Sequence, residues 1–117
     1  MGDRGNVRIM SASTDVGDIY FYTHWFGSDL QSIVGRAIAS PEGRRRWDDE
    51  SYLNRIIFQH MLDLADSRET GFGISPYEID SGEVVTVNHA NKTMTFAGLA
   101  LPFENVANIV AEMGLAI

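Results

Sequence analysis

Cysteine is absent from all 117 residues. Its absence excludes thiol nucleophiles, cysteine-ligated zinc, iron–sulfur clusters and any disulfide framework. Long apolar runs are also missing, so nothing reaches membrane-spanning length. The start, Met1-Gly2-Asp3-Arg4-Gly5-Asn6, has neither the basic region nor the apolar stretch of a secretion signal, and Asn6 stands where a myristoylation signal wants Ser or Thr. The expectation is a cytoplasmic protein with no membrane segment. Positive charge is scarce: 9 Lys and Arg face 16 Asp and Glu, for a net charge of -7. That balance argues against direct nucleic-acid binding, which depends on neutralising phosphates, and suits a basic protein partner better. The acids are scattered, however, and the same charge serves solubility.

What remains is ordinary for a globular chain. A 44% apolar and 21% charged composition can bury a core without staples, and the length suits one domain over 1–117. Val7 to Met10 reads as a short strand and Ile19 to Trp25, rich in β-branched and aromatic residues, as a second and central one. Ser28-Asp29-Leu30-Gln31 has the spacing of a capping box, and Leu30, Ile33, Val34, Ala37 and Ile38 repeat at helical intervals up to about residue 39. Asp48, Asp49 and Glu50 form an acidic first turn for a second helix carrying Leu53, Ile56, Ile57, His60, Met61 and Leu64. This helix fades at Asp66-Ser67-Arg68, and Thr70 to Ser75 returns to strand or turn. Val84–Asn88 and Thr93–Ala97 form a hairpin around His89 to Lys92, and Pro102 and Glu104 open a last helix that Gly114 closes before the tail Leu115-Ala116-Ile117.

These elements predict an α+β fold: an antiparallel β-sheet of about four or five strands with two or three helices packed on one face. If the helices cover Val85, Val87, Met94 and Phe96, then Thr86, Thr93 and Thr95 lie on the opposite face. Tyr20, Tyr22 and His24 join them there.

Two groups are candidate binding residues. Tyr20, Tyr22, His24 and Trp25 offer amphipathic aromatic surface with fixed hydrogen-bonding atoms, unless they fill the second side of a central strand. Arg45, Arg46 and Trp47 could clamp a phosphate or carboxylate with the indole as a stacking plane, or pair with the acids that follow. No metal site is expected, because His24, His60 and His89 fall on a strand, a helix and a turn with no ligand spacing. His60 reads as a core histidine, and Asp3-Arg4-Gly5-Asn6 as an internal ion pair and turn. Gly71-Phe72-Gly73 lacks the third glycine of a dinucleotide fingerprint, and Gly73-Ile74-Ser75 lacks the glycine that follows a nucleophile elbow. No spacing singles out catalytic residues, and no cofactor is implied.

Gly2-Asp3-Arg4-Gly5-Asn6, Tyr22-Thr23-His24-Trp25, Arg46-Trp47-Asp48-Asp49 through Tyr52-Leu53, Arg55-Ile56-Ile57-Phe58 and Glu69-Thr70-Gly71-Phe72-Gly73-Ile74-Ser75 resemble segments of a group of small uncharacterised bacteriophage and bacterial proteins. The resemblance spans most of the chain and implies a phage or mobile-element setting inside a bacterial host cell. It carries no catalytic residues. The function expected is a protein-binding module, an inhibitor of a host defence complex being one form, that works without catalysis. The alternative is a domain that handles a small ligand or nucleotide, or a hydrolase, using His24 with nearby acids and arginines.

Overall fold

The computed structural model describes residues 2–64, 70–80 and 82–113. In chain order the elements are β1 (Gly5–Met10), β2 (Ile19–Thr23), α1 (Leu30–Ala39), α2 (Pro41–Arg44), α3 (Glu50–Leu62), β3 (Phe72–Ser75), β4 (Glu83–Asn88), β5 (Thr93–Phe96), β6 (Leu99–Pro102) and α4 (Phe103–Glu112). The strands form one six-stranded sheet in the order β3-β2-β1-β4-β5-β6. The α+β architecture is the one the sequence predicts, with two elements more than the sequence suggested: the short α2, and β6 at the far edge. A two-residue turn with positive φ at Ala97 (49°) and Gly98 (78°) joins β5 to β6, a geometry matched to strand twist.

The sheet is mixed, because β1 and β4 run parallel while every other pair is antiparallel. The cause is the path taken after the helices. β3 returns beside β2, so it runs in the same direction as β1, and β4 starts again at the level of Gly5. The chain must therefore travel back along the sheet to reach β4, and residues 76–80 do so as a strap across the face away from the helices. Asn6, fully buried in β1, holds this strap: its side-chain amide donates to the Ile79 carbonyl (2.9 Å) and its oxygen accepts from the Ile79 N–H (3.2 Å).

Alternation along the strands separates the faces. Val7, Ile9, Phe21, Val85, Val87 and Met94 are buried beneath the helices. Helix α1 supplies Leu30, Ile33, Val34, Ala37 and Ile38, the residues its periodicity marks, and packs beside both α3 and α4. In α3 the buried stripe is Leu53, Ile57 and Met61, with Phe58 against Phe21 at 5.0 Å between ring centroids. Leu64 is exposed, and His60 is only partly buried. His60 lines an open groove of about 540 Å³ with Tyr52, Arg55, Gln59 and Asp63, which corrects its reading as a core residue.

Capping also differs from expectation at one end. Ser28 makes no cap bond for α1; the segment Gly27–Asp29 is a 3-10 turn, and the Ser28 hydroxyl bonds to Asp3. Asp49 does cap α3, accepting from the Tyr52 amide at 3.4 Å. The proposed stop at Gly114, the tail Leu115-Ala116-Ile117 and the fading segment Asp66-Ser67-Arg68 lie outside the described residues. Among the described residues, no helix is long and apolar enough to cross a membrane.

Candidate functional site

β2 alternates bulky residues because both its faces are used. Phe21 and Thr23 point under the helices, while Tyr20 and Tyr22 share the other face with Asn6, Arg8, Thr86 and Thr95, as the strand registers require. β2 ends at Thr23, whose hydroxyl accepts from the backbone amides of Trp25 (3.4 Å) and Phe26 (3.2 Å) and turns the chain sharply. The expected strand end at Trp25 is therefore a corner. His24 stays in line, its amide bonding to the Gly71 carbonyl (2.9 Å), while Trp25 folds outward over Gly71. Gly71 sits at φ 94°, and a methyl group there would run into the six-membered ring of Trp25.

The corner is an aromatic cluster. His24 meets Trp25 edge-on at 5.7 Å, Trp25 meets Phe72 edge-on at 6.4 Å, and Phe26 stacks on Phe72 at 6.1 Å. Trp25 nevertheless keeps 44% of its surface exposed. Behind it, the Tyr22 hydroxyl donates to Asp80 of the strap (3.4 Å) and lies 3.1 Å from His24 Nδ1. Burial, reinforced by the Asp80 charge, pushes the Tyr22 phenol above its ordinary pKa. Tyr22 is thereby held as a neutral hydrogen-bonding group and is not activated as a nucleophile. Gly2 closes over the His24 ring, so tightly that a side chain at position 2 would collide with the His24 carbonyl.

The segments singled out in the sequence meet here. Asp3, Arg4 and Asn6 do not form an internal ion pair and turn; each reaches a different neighbour. Asp3 accepts from the Ser28 hydroxyl and, at 3.0 Å, from the Ser28 amide, bonds that lower its pKa. Arg4 lies 3.8 Å from Asp80, and Asn6 holds Ile79. Three of the quoted segments, those beginning at Gly2, Tyr22 and Glu69, thus converge on the corner and its strap through their described residues.

Arg45, Arg46 and Trp47 lie elsewhere, between α2 and α3. Trp47 is committed to the fold: its indole N–H donates to the Ile38 carbonyl (2.9 Å), and its ring packs 5.9 Å from Phe103. Arg46 stacks on Tyr52 at 4.6 Å and pairs with Asp49 at 3.5 Å, so the stacking plane there is Tyr52 and not Trp47. Arg45 is exposed. Asp48 pairs with Lys92 of the β4–β5 turn at 3.1 Å. Among the described residues, no three metal-ligating side chains stand together.

Two features escaped the sequence reading. The first is His89, 5% exposed, whose Nε2–H donates to Asn54 Oδ1 at 2.7 Å while Nδ1 has no partner among the described residues. Burial is the largest influence on it and lowers its pKa. Nothing in a turn histidine's spacing announces that environment.

The second is the sheet edge at β3. The bond from His24 to Gly71 sets the antiparallel alternation: Gly73 and Ser75 direct their backbone groups to β2, and Phe72 and Ile74 direct theirs outward. Ile74 is 60% exposed and Tyr77, just beyond the strand, 67%. The short apolar run and its glycines could have signalled an edge. Comparison of the chain with protein-family models, curated proteins and solved structures gives no match.

Proposed function

We propose that this chain is a protein-binding module that acts without catalysis, and that its contact surface is the corner formed by Trp25, His24 and Tyr22 together with the β3 edge. The observation that carries this reading is the exposure of three large side chains, Trp25, Ile74 and Tyr77, around one edge strand of the sheet. Large rigid aromatics beside a desolvated apolar centre are what binding surfaces concentrate. Tyr22 and His24 support the corner from behind, and Tyr20 lies on the same face of β2. The resemblance to phage proteins suggests the setting: a phage or mobile-element product acting on a host protein complex, a defence assembly among them. The alternative hydrolytic role for His24 finds little support, since Gly2 packs against the Nε2 side of its ring.

The test is a tagged pull-down from bacterial lysate, compared with a Tyr22→Ala/Trp25→Ala chain shown by circular dichroism to be folded. A host complex captured by the parent and lost by the variant is the expected result. Equal capture by both would remove the corner from the account.

A further inference from the structure

Building on the protein-binding reading, we infer that the partner contributes an extended strand that adds to the sheet at β3, alternating apolar residues with lysine or arginine. Three observations carry it. The first is the hydrogen-bonding edge: the backbone N–H and C=O groups of Phe72 and Ile74 point away from β2 and meet no acceptor or donor among the described residues. Such an edge is a template for another strand, and proteins that do not use it defend it with charge, proline or a bulge. Phe72-Gly73-Ile74-Ser75 contains neither charge nor proline, Pro76 coming only after its last residue, and its register with β2 is unbroken.

The second observation is where the side chains lie. Phe72 and Ile74 are on the helix-side face, and Ile74 is mostly exposed, so a strand laid along β3 would place its own alternate side chains beside them. Apolar residues suit those positions. Gly73 lies on the other face and leaves room for long side chains. Trp25 borders one end of β3, over Gly71, and Tyr77 follows the other end.

The third is charge. The strap that crosses this second face carries Glu78 and Asp80 and no cation within 76–80, on a chain of net charge -7. Arg8 is paired with Asp18 at 2.6 Å and also feels Glu78, and Arg4 pairs loosely with Asp80 at 3.8 Å, so these arginines offset part of the strap's charge and the chain's net negative balance leaves the rest. Basic side chains on the partner's second face would meet that field, their flexible stems lying over Gly73. An acidic or neutral strand would gain nothing from it.

The experiment uses the full chain labelled with ¹⁵N and a blocked synthetic peptide alternating valine with lysine. Binding should shift the amide signals of Phe72, Gly73 and Ile74. Ile74→Pro removes one outward donor and leaves the β2–β3 ladder intact, because the lost N–H is not part of it. It should weaken the peptide by about tenfold, the scale of a backbone hydrogen bond lost with a neighbouring contact. Ile74→Val should bind as the parent does. A peptide N-methylated at every residue, which has no N–H left to pair on either edge, should not bind; this arm stands even if Ile74→Pro folds poorly. A valine–glutamate peptide should bind far more weakly, and added salt should narrow that gap.

Equal binding by the N-methylated peptide, or shifts confined to another surface, would overturn the inference. So would a concentration-dependent dimer that protects the Ile74 amide without peptide, which would assign the edge to a second copy. If the lysate partner is lost with Tyr22→Ala/Trp25→Ala but retained with Ile74→Pro, the binding module stands and strand addition falls.

Discussion

The two edges of the sheet are equal in length, four residues each, and differ in what they present. At β6 the Phe103 amide bonds to the Lys92 carbonyl, so alternation turns Ala100 and Pro102 outward, and proline has no N–H to offer. Helix α4 begins at the next residue and ends the edge. At β3 the outward residues are Phe72 and Ile74, whose amides meet no acceptor among the described residues, bracketed by Trp25 and Tyr77. At β6 the proline lies within the strand and removes one of its two outward donors, whereas at β3 both outward donors precede Pro76, which lies beyond the strand's end. In a protein that must avoid random association, an undefended edge is a sign of use.

The strap is what keeps the β3 side in shape, so the largest break in the comparison comes from Asn6→Ala. Both backbone groups of Ile79 would lose their partner, and stability measured by urea denaturation should fall by about 2–3 kcal/mol. An unchanged midpoint would show that the strap does not depend on Asn6. Next is Gly71→Ala, which forces an alanine to φ near 94° and drives the Trp25 ring off its seat. We expect a loss of roughly 1–2 kcal/mol and a change in Trp25 fluorescence, read in a Trp47→Phe background.

A smaller effect belongs to the end of the sheet away from the corner. Burial holds the folded-state pKa of His89 below its unfolded value, so the unfolded chain takes up the proton first. Stability from this group is complete above about pH 6.5 and declines as pH falls below it. Glu50 adds a second decline at lower pH: burial alone would raise its pKa, but the Ala12 amide, Ser11 and His89 together lower it. His89→Gln should flatten the first decline and shrink the second only by the small share that His89 contributes to it. A profile identical to the parent's would contradict the assignment. The smallest expected change in stability is from Pro102→Ala, below about 1 kcal/mol, since the site is exposed. Its value is in binding: with a donor restored at β6, the valine–lysine peptide should acquire a second, weaker site.

Much of the framework was legible because it depends on local period. The stripe of α1, the hairpin from β4 to β5 and the alternation that puts Tyr20 and Tyr22 opposite Phe21 all follow from spacing within one segment. What was not legible depends on residues far apart in sequence. Asn6 reads as a turn residue until Ile79, 73 positions away, is seen to bond with it. The parallel pairing of β1 and β4 arises from the path of the strap, which no hydrophobic pattern encodes. Trp47 and Trp25 look alike as exposed aromatic candidates, yet only the fold reveals that one indole is tied to Ile38 and the other lies open. β6 was missed although the glycine of its turn was visible, because Leu99 to Pro102 ends in a proline that reads as a helix start.

The most direct test of the account is hydrogen exchange on the tagged chain, free and in complex with the partner it captures. The account predicts that the Phe72 and Ile74 amides exchange quickly in the free protein, unlike Gly73, and become protected in the complex. Protection appearing instead along the groove of Tyr52, Arg55 and His60, with Phe72 and Ile74 unchanged, would contradict it.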